Sequence, residues 1–321
     1  MPAHFSRTVR KLRLRHFEVL ALLAHERTVR GVARRMALTQ PAVSKMLREI
    51  EECFDTQLFV RSPSGLEPTA AGVRLVRHAT VLMNELRAAG EETDAIAGGA
   101  VATLRVGTLS VMSRVPVAIA RLRGTMPWVV VRVLEAKVVD LVAGLRDGAL
   151  DCIVGAMPPE MLRSADVDAL DLEPLAPDRL CVVAAPRHRR AGATALRWRD
   201  VAGEPWVLPP RESLLRRALI DACLRAGLEP PEPAVELLSP VSLGALLRLD
   251  PTLLGVSRLG EALDAQRDGA LRILRVTPAA PLPPIALITR RAAPPSEALP
   301  AFRAALRARP RARRSVSGVR D

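Results

Sequence analysis

Through the first hundred residues, apolar side chains recur at steps of three and four; beyond that they gather into short β-branched runs. In "LRHFEVLALLAHE", Leu14, Phe17, Val19, Leu20, Leu22 and Leu23 fall on one face of a predicted helix. "TVRGVARRMA" predicts a shorter helix capped by Thr28, with Val32, Ala33 and Met36 inward. The turn Ala37-Leu38-Thr39 leads into "LTQPAVSKMLREIEE". There Thr39 can cap, Pro41 suits a first turn that needs no amide donor, and Val43, Met46, Leu47 and Ile50 make the apolar face. Gln40, Ser44, Lys45 and Arg48 then point elsewhere. Two helices joined by so short a turn, with small Ala33 permitting close approach, predict a helix-turn-helix. "QLFVRSPSGLEPTAAG" follows as a β-hairpin wing with Arg61 at its edge. This first domain spans residues 10–70.

The next stripe runs from Leu75 to Ile96 at three- and four-residue steps, behind Thr69 as cap, and predicts a linker helix over 71–97. Val76, Ala79, Leu82, Met83 and Leu86 are expected to form a seam between two copies, because a long one-sided helix beside a DNA reader calls for a partner. Packing of the stripe on its own domain is the alternative. "AGGAVA" (97–102) ends the helix as a hinge.

Over 103–302, β-rich runs ("LRVG", "WVVVRVLE", "DCIVGA", "LCVVAAP", "AVELL", "LLGVS", "RILRV", "IALIT") alternate with helical ones. The alternation predicts an α/β domain with a mostly parallel sheet covered on both faces. The stretch from 178 to 271 is long enough to be a second lobe inserted into a first lobe built from 103–177 and 272–302. A cleft at the strand ends of two such lobes is a natural small-molecule site.

Charge sharpens this division. The 321 residues carry +13, yet residues 1–70 hold 12 Lys/Arg against seven Asp/Glu, and residues 303–321 hold seven Arg against one Asp. The middle is nearly neutral, so polyanion binding is expected at the N-terminal end. Only Lys11, Lys45 and Lys137 are lysines, so the arginine richness also reflects a compositional bias. Residues 303–321 lack an apolar period and read as a basic disordered tail. Cys53, Cys152, Cys181 and Cys223 are too dispersed for a zinc or disulfide framework and fit a reducing compartment. No apolar run approaches the roughly 20 residues that cross a bilayer. The expectation is a cytoplasmic chain.

Catalytic machinery does not assemble from the sequence. Four of five histidines precede the α/β part, and His188 sits in the polar loop "APRHRRAG", where a surface place is expected. No glycine-rich phosphate loop follows the first strand, and tyrosine is absent. The sequence therefore suggests a binder, with no catalytic residues, no metal and no cofactor.

The stretch "TVRGVARRMALTQPAVSKMLREIEECFDTQLFVRSPSGLEPTAAG" resembles the signature of LysR-type transcriptional regulators. Ala33, Thr39 to Ser44, Glu51, Leu58-Phe59-Val60-Arg61 and Thr69 to Gly72 fall at the family's spacings. "EPWVLPPRESLLRRALIDACLRAG" and "LRLDPTLLGVSRLGEAL" are similar to the branch that includes regulators of galactose and aromatic-acid metabolism. Gly31-Val32 before Ala33, and "DPTLLGVS" for the usual glycine-rich stretch, depart from the pattern. The resemblance implies a winged helix-turn-helix, a linker helix and a two-lobed, periplasmic-binding-protein-like effector domain. It implies a bacterial homodimer, or a tetramer as a dimer of dimers, on double-stranded promoter DNA, with RNA polymerase contact left open and no membrane. A small organic effector in the inter-lobe cleft would control how the dimers sit on DNA.

On that reading Gln40 pairs with a base edge, Lys45 and Arg48 meet guanine or phosphate, and Ser44 bonds phosphate. Thr28, Arg30, Thr39 and Arg61 are expected at the backbone, and Pro41 against a thymine methyl. For the effector, the resemblance implies a hydroxyl after the first strand: Ser110 first, then Thr108 and Ser113. Ser213 and Arg216, at the start of a second-lobe helix, are expected to face the same cleft, with Arg216 taking a carboxylate. Hydroxyls at a helix mouth also simply cap it. Two other readings stay open: a DNA-binding architectural protein, and a cytoplasmic enzyme with a DNA-binding head.

Overall fold

Helix α1 (Leu14–Glu26) opens the folded chain in the computed structural model, which describes residues 11–97, 102–108, 114–158, 161, 169–291 and 296–308. Two compact units result. One takes the chain up to Arg105 with Trp128–Arg132 and Val139–Asp151; the other takes Val106–Pro127, Val133–Val138 and the residues from Cys152 onward.

In the first unit, α1, α2 (Val29–Arg35) and α3 (Gln40–Phe54) enclose Val19, Leu20, Leu23, Val32, Ala33, Val43 and Ile50, all buried. Each fully buried aliphatic side chain contributes about 1.5–3 kcal/mol, and the apolar periods noted above supply them. Thr28 Oγ1 accepts the Gly31 N–H at 3.0 Å and Thr39 Oγ1 that of Ala42 at 3.3 Å, so both expected caps form. Strands β1 (Phe59–Ser62) and β2 (Gly65–Pro68) pair antiparallel as the wing. Leu58 and Phe59 close the core beneath it.

Helix α4 (Ala70–Ala97) corrects part of the expected seam. Leu75, Val76 and Ala79 pack into the core of their own domain against α1, and Ala79 is fully buried there. Their side of the helix is used before any partner arrives. Leu82 and Leu86 stay exposed, as does Ile96. Farther along, Asn84 Nδ2 donates to Asp147 O at 2.8 Å, and Arg132 pairs with Glu91.

The second unit holds most of a nine-stranded sheet in the order β4-β3-β5-β13-β6-β10-β8-β9, with β11 beside β6. Its strands are β3 (Ala102–Thr108), β4 (Val129–Glu135), β5 (Cys152–Gly155), β6 (Leu170–Ala184), β8 (Trp206–Leu208), β9 (Pro233–Glu236), β10 (Leu254–Arg258), β11 (Arg272–Leu274) and β13 (Ala280–Arg290). The helices beyond α4 are α5 (Arg114–Thr125), α6 (Val138–Arg146, nearly all of it in the first unit), α7 (Trp198–Val201), α8 (Leu214–Arg225), α9 (Pro240–Leu249), α10 (Leu259–Arg267) and α11 (Ala298–Arg307). A short pair, β7 (Leu196–Arg197) with β12 (Val276–Thr277), lies apart from the main sheet.

The sheet is mixed rather than mostly parallel. Pairs β3–β5, β8–β9 and β8–β10 are parallel, but β6 runs antiparallel to β13, β10 and β11, and β13 antiparallel to β5. The cause is the inserted lobe: the chain leaves the first lobe along β6 and returns along β13, and one outward and one homeward strand must oppose each other. In β6, Leu180, Val182 and Ala184 face one core while Cys181 and Val183 face another, so its unbroken apolar run is buried on both sides.

Two boundaries shift. Residues 272–277, expected in the first lobe, pair with β6 at Val182–Ala184 and with β7, so they belong to the second lobe. The start of the expected tail is helical: α11 packs on α5, and Arg303 and Arg307 both pair with Glu173. Its apolar residues Ala298, Phe302 and Leu306, at four-residue steps, are buried and hold it there. The rest of the tail, from 309, lies outside the described residues, as do 98–101 of the hinge.

Candidate functional site

The exposed side of α3 is built by what its other side buries. Val43 and Ile50 go into the core with Met46 and Leu47 beside them, which leaves Gln40, Pro41, Lys45 and Arg48 exposed and Ser44 half-buried on the outer face. Thr28, Arg30, Thr39 and Arg61 are also exposed, at the mouths of α2 and α3 and on the wing. Arg34 and Arg35 extend this basic surface; Arg35 is tied to Glu26 at 2.9 Å.

Of the acids on that side of α3, Glu52 is exposed near its end, and Glu49 is drawn back. Buried His16 accepts the Arg13 N–H at Nδ1 (2.9 Å), which puts its proton on Nε2, 3.1 Å from Glu49 Oε2. This hydrogen bond, with the charge of Lys45 adding to it, lowers the Glu49 pKa. Lys45 reaches Glu49 only at 3.8 Å and keeps an exposed ammonium. The first two turns of α3, residues 40–47, contain no acidic residue, as suits a helix entering a polyanion.

Sequence reasoning missed the parts that fix the wing. Glu51 Oε1 accepts the N–H groups of Leu58 (2.7 Å) and Phe59 (3.3 Å), tying α3 to the start of β1. Arg27 O accepts the Leu66 N–H at 2.7 Å, and Gly65 (φ +117°) lies so close that a Cβ would stand 2.5 Å from that oxygen. Thr69 Oγ1 accepts the Gly72 N–H and donates to Gln57 O, welding α4 to the same corner. Glu51, Thr69 and Gly72 were visible as spaced motif residues, but nothing local in the sequence named their partners.

A second site follows from the strand registers of the second unit. Gly155, the last residue of β5, lies abreast of Ala286, which pairs with Pro174; Arg258, the last of β10, lies abreast of Leu180. Parallel strands of both lobes therefore end toward the stretch of β6 from Pro174 to Leu180 that runs beside β13, roughly 20 Å at 3.3 Å per residue. Asp178, on this stretch, accepts the Leu259 N–H at the mouth of α10 (3.2 Å) and pairs with Arg258. Burial raises the pKa of nearby Glu261, which accepts from Ser257 Oγ at 3.2 Å.

Of the expected effector residues, Ser110 and Ser113 lie outside the described residues. Thr108 ends β3 but is fully buried, its hydroxyl donating to Val154 O at 3.2 Å. Ser213 caps α8, accepting the Arg216 N–H at 3.1 Å. Arg216 departs from expectation: it is buried, its Nη2 donating to Pro231 O at 3.1 Å, and no carboxylate among the described residues pairs with it. It lies on the inward stripe of α8 with Leu219 and Cys223, so its side chain enters the lobe instead of standing at the helix mouth.

His188 is likewise buried, against its expected surface place. Its Nδ1 accepts the Arg190 N–H at 3.1 Å in a turn closed by Glu204, whose buried carboxylate receives Arg189 and Arg190, each at 2.6 Å. Among the described residues no group of three or more His, Cys, Asp and Glu is arranged to hold a metal, and no helix is long and apolar enough to cross a membrane.

Comparison with known proteins matches two family models to the chain. Residues 14–73 match the bacterial regulatory helix-turn-helix protein, lysR family, and residues 97–311 match the LysR substrate binding domain. The chain is 31% identical over 237 residues to the HTH-type transcriptional regulator GbpR of Azospirillum brasilense, covering 72% of this chain and 67% of that protein. It is 34% identical over 224 residues to the regulator GalR of Pseudomonas putida, covering 69% of this chain and 55% of that protein. A full-length OxyR variant from Pseudomonas aeruginosa is similar in fold, with TM-score 0.61 and 20% identity over 92% of this chain and 95% of the other. So is full-length CbnR in complex with its target DNA, with TM-score 0.57 and 19% identity over 92% and 99%.

Proposed function

We propose a mechanism from the premise that the chain belongs to the LysR family: it is a DNA-binding transcriptional regulator whose second domain binds an effector. The observation that carries the mechanism is the outer face of α3, where Gln40, Pro41, Lys45 and Arg48 stand exposed over two turns that contain no acidic residue. Gln40 reads a base edge in the major groove, Lys45 and Arg48 meet phosphate or guanine, and Ser44, Thr28, Thr39, Arg30 and Arg61 fix the register on the backbone. Pro41, at the helix mouth, offers its ring to a thymine methyl.

The effector, a small organic molecule, is taken at the strand ends facing the Pro174–Leu180 crossing. Ser110, Ser113 and Ser213 are the candidate contacts, whereas Thr108 is buried with its hydroxyl on Val154 O. No resident cofactor and no catalytic step enter this reading. The working form is a homodimer joined through the exposed second half of α4, or two such dimers, acting on promoter DNA in the bacterial cytoplasm.

Footprinting of the full chain on its own upstream region tests the DNA assignment. Q40A should flatten the preference between specific and mutated sites by about 1–3 kcal/mol, the worth of one bidentate base contact. K45A should weaken all sites alike and lower the salt slope by about one. Unchanged discrimination in Q40A would remove α3 as the reader. A metabolite screen by thermal shift tests the second domain, since ligand at 100 times its Kd stabilises by about 2.7 kcal/mol.

A further inference from the structure

Helix α8 turns Arg216, Leu219, Ala222 and Cys223 inward, and three of these suit a core stripe. The fourth is a guanidinium in a residue only 2% exposed. Nη2 donates to Pro231 O, while Nε and Nη1 are buried with no partner among the described residues. A second buried donor has the same deficit: the indole Nε1 of Trp206, a residue 1% exposed. Trp206 shares one core with Leu219 and Cys223, so it faces the α8 side of the sheet, and it pairs in register with Pro233, two residues beyond Pro231. Arg216 is thus bonded to this segment at Pro231, and the residue that carries the other open donor is in register with it at Pro233.

A buried, unpaired cation beside unpaired donors is a costly arrangement unless something negative accompanies it. We propose that the second lobe holds an internal site for a small monovalent anion of chloride size, bound by Arg216 Nε and Nη1 with Trp206 Nε1 beside it. The anion neutralises the guanidinium and satisfies donors that the protein leaves open. A small inorganic ion is favoured over an organic acid because so deeply buried a guanidinium leaves no mouth for a larger body. The site is separate from the effector site proposed above. Arg216 bonds the connection that enters β9, whereas the effector contacts lie where the strands end.

Crystals of the full chain grown or soaked in bromide test this directly. The expected result is an anomalous peak within hydrogen-bonding distance of Arg216 Nε or Nη1. In solution, replacing gluconate by chloride or bromide at constant ionic strength should raise the melting temperature by a few degrees. R216M, which keeps the stem and removes the charge, should lose that rise. A water at the position, a protein acceptor on those nitrogens, or a halide at exposed arginines only (an adventitious ion only) would overturn the proposal. An R216M melting curve that keeps the halide rise would overturn it too. Should R216M fail to fold, the wild-type bromide map decides alone.

Discussion

Glu51 Oε1, near the end of α3, accepts the backbone N–H of Leu58 at 2.7 Å, seven residues on, where the chain turns into the wing. Phe59 gives the same oxygen a second, longer bond, and both donors belong to buried residues. The recognition helix and the wing are thereby one body. E51A leaves two buried N–H groups without an acceptor and should cost about 1–3 kcal/mol, the penalty for an unsatisfied buried group. Urea unfolding should show the loss in the DNA-binding domain, and E51Q, which retains one acceptor oxygen, should recover part of it. Equal stability of E51A and the parent would mean the bond is incidental.

Gly72 gives a sharper contrast. A Cβ there would stand 2.0 Å from Leu58 O, the oxygen that already accepts the Thr69 N–H at 2.9 Å. G72A must push α4 away from the wing and should destabilise by about 3 kcal/mol, the top of the overpacking range. Gly90, in the same helix, has nothing among the described residues within 4 Å of its Cβ position. G90A should instead add about 0.5–1 kcal/mol through helix propensity. Opposite signs for the two alanines in thermal unfolding are the expected outcome; two losses or two gains would contradict the geometry.

These two residues show what the sequence made legible. Helix periods, caps and the turn at Ala37–Thr39 are local, so α1 to α4 and the outward set on α3 could be read directly. The groups that Gly72 and Glu51 meet, the Leu58 carbonyl and the Leu58 and Phe59 N–H groups, lie in tertiary space, and only the spacing of the two residues hinted at a purpose. The parallel-sheet expectation failed for the same reason. Local alternation fixes the type of an element, but the direction of β6 against β13 depends on an insertion more than ninety residues long. Arg216 illustrates the reverse case, since helical spacing placed it on the stripe of Leu219 and Cys223, yet its charge argued for a surface site.

Leu82 and Leu86 remain exposed on α4 after Leu75, Val76 and Ala79 have been used by α1, and Ile96 continues their face at heptad-like spacing. Introducing charge at that face should break the proposed dimer without unfolding the domain. L82E/L86E is expected to sediment as a monomer, keep its helical circular dichroism and lose cooperative binding to paired half-sites. Changes at Val76 are unsuitable, because Val76 packs against the core of the single chain. A double variant that stays dimeric would relocate the interface away from α4.

His188 sets a pH window. Burial lowers its pKa below 6.5, and the positive charges of Arg189 and Arg190 add to this against the opposing pull of Glu204. Protonation therefore favours the unfolded chain: the contribution is complete above 6.5 and is lost as pH falls from there through the folded value. Glu204 acts in a separate, lower window. Burial alone would raise its pKa, but the hydrogen bonds and charges of Arg189 and Arg190 outweigh that and hold it below 4.5. Its stabilisation is present above 4.5 and is lost only as pH falls through the depressed value. In H188N, the amide oxygen can accept the Arg190 N–H in place of Nδ1 without a titrating ring. Denaturant unfolding at steps from pH 7.5 to about 5 should show wild type losing stability and H188N remaining flatter, with the two converging in slope at lower pH where Glu204 takes over. Parallel curves throughout that range would show that His188 does not titrate between the folded and unfolded chains as its burial requires.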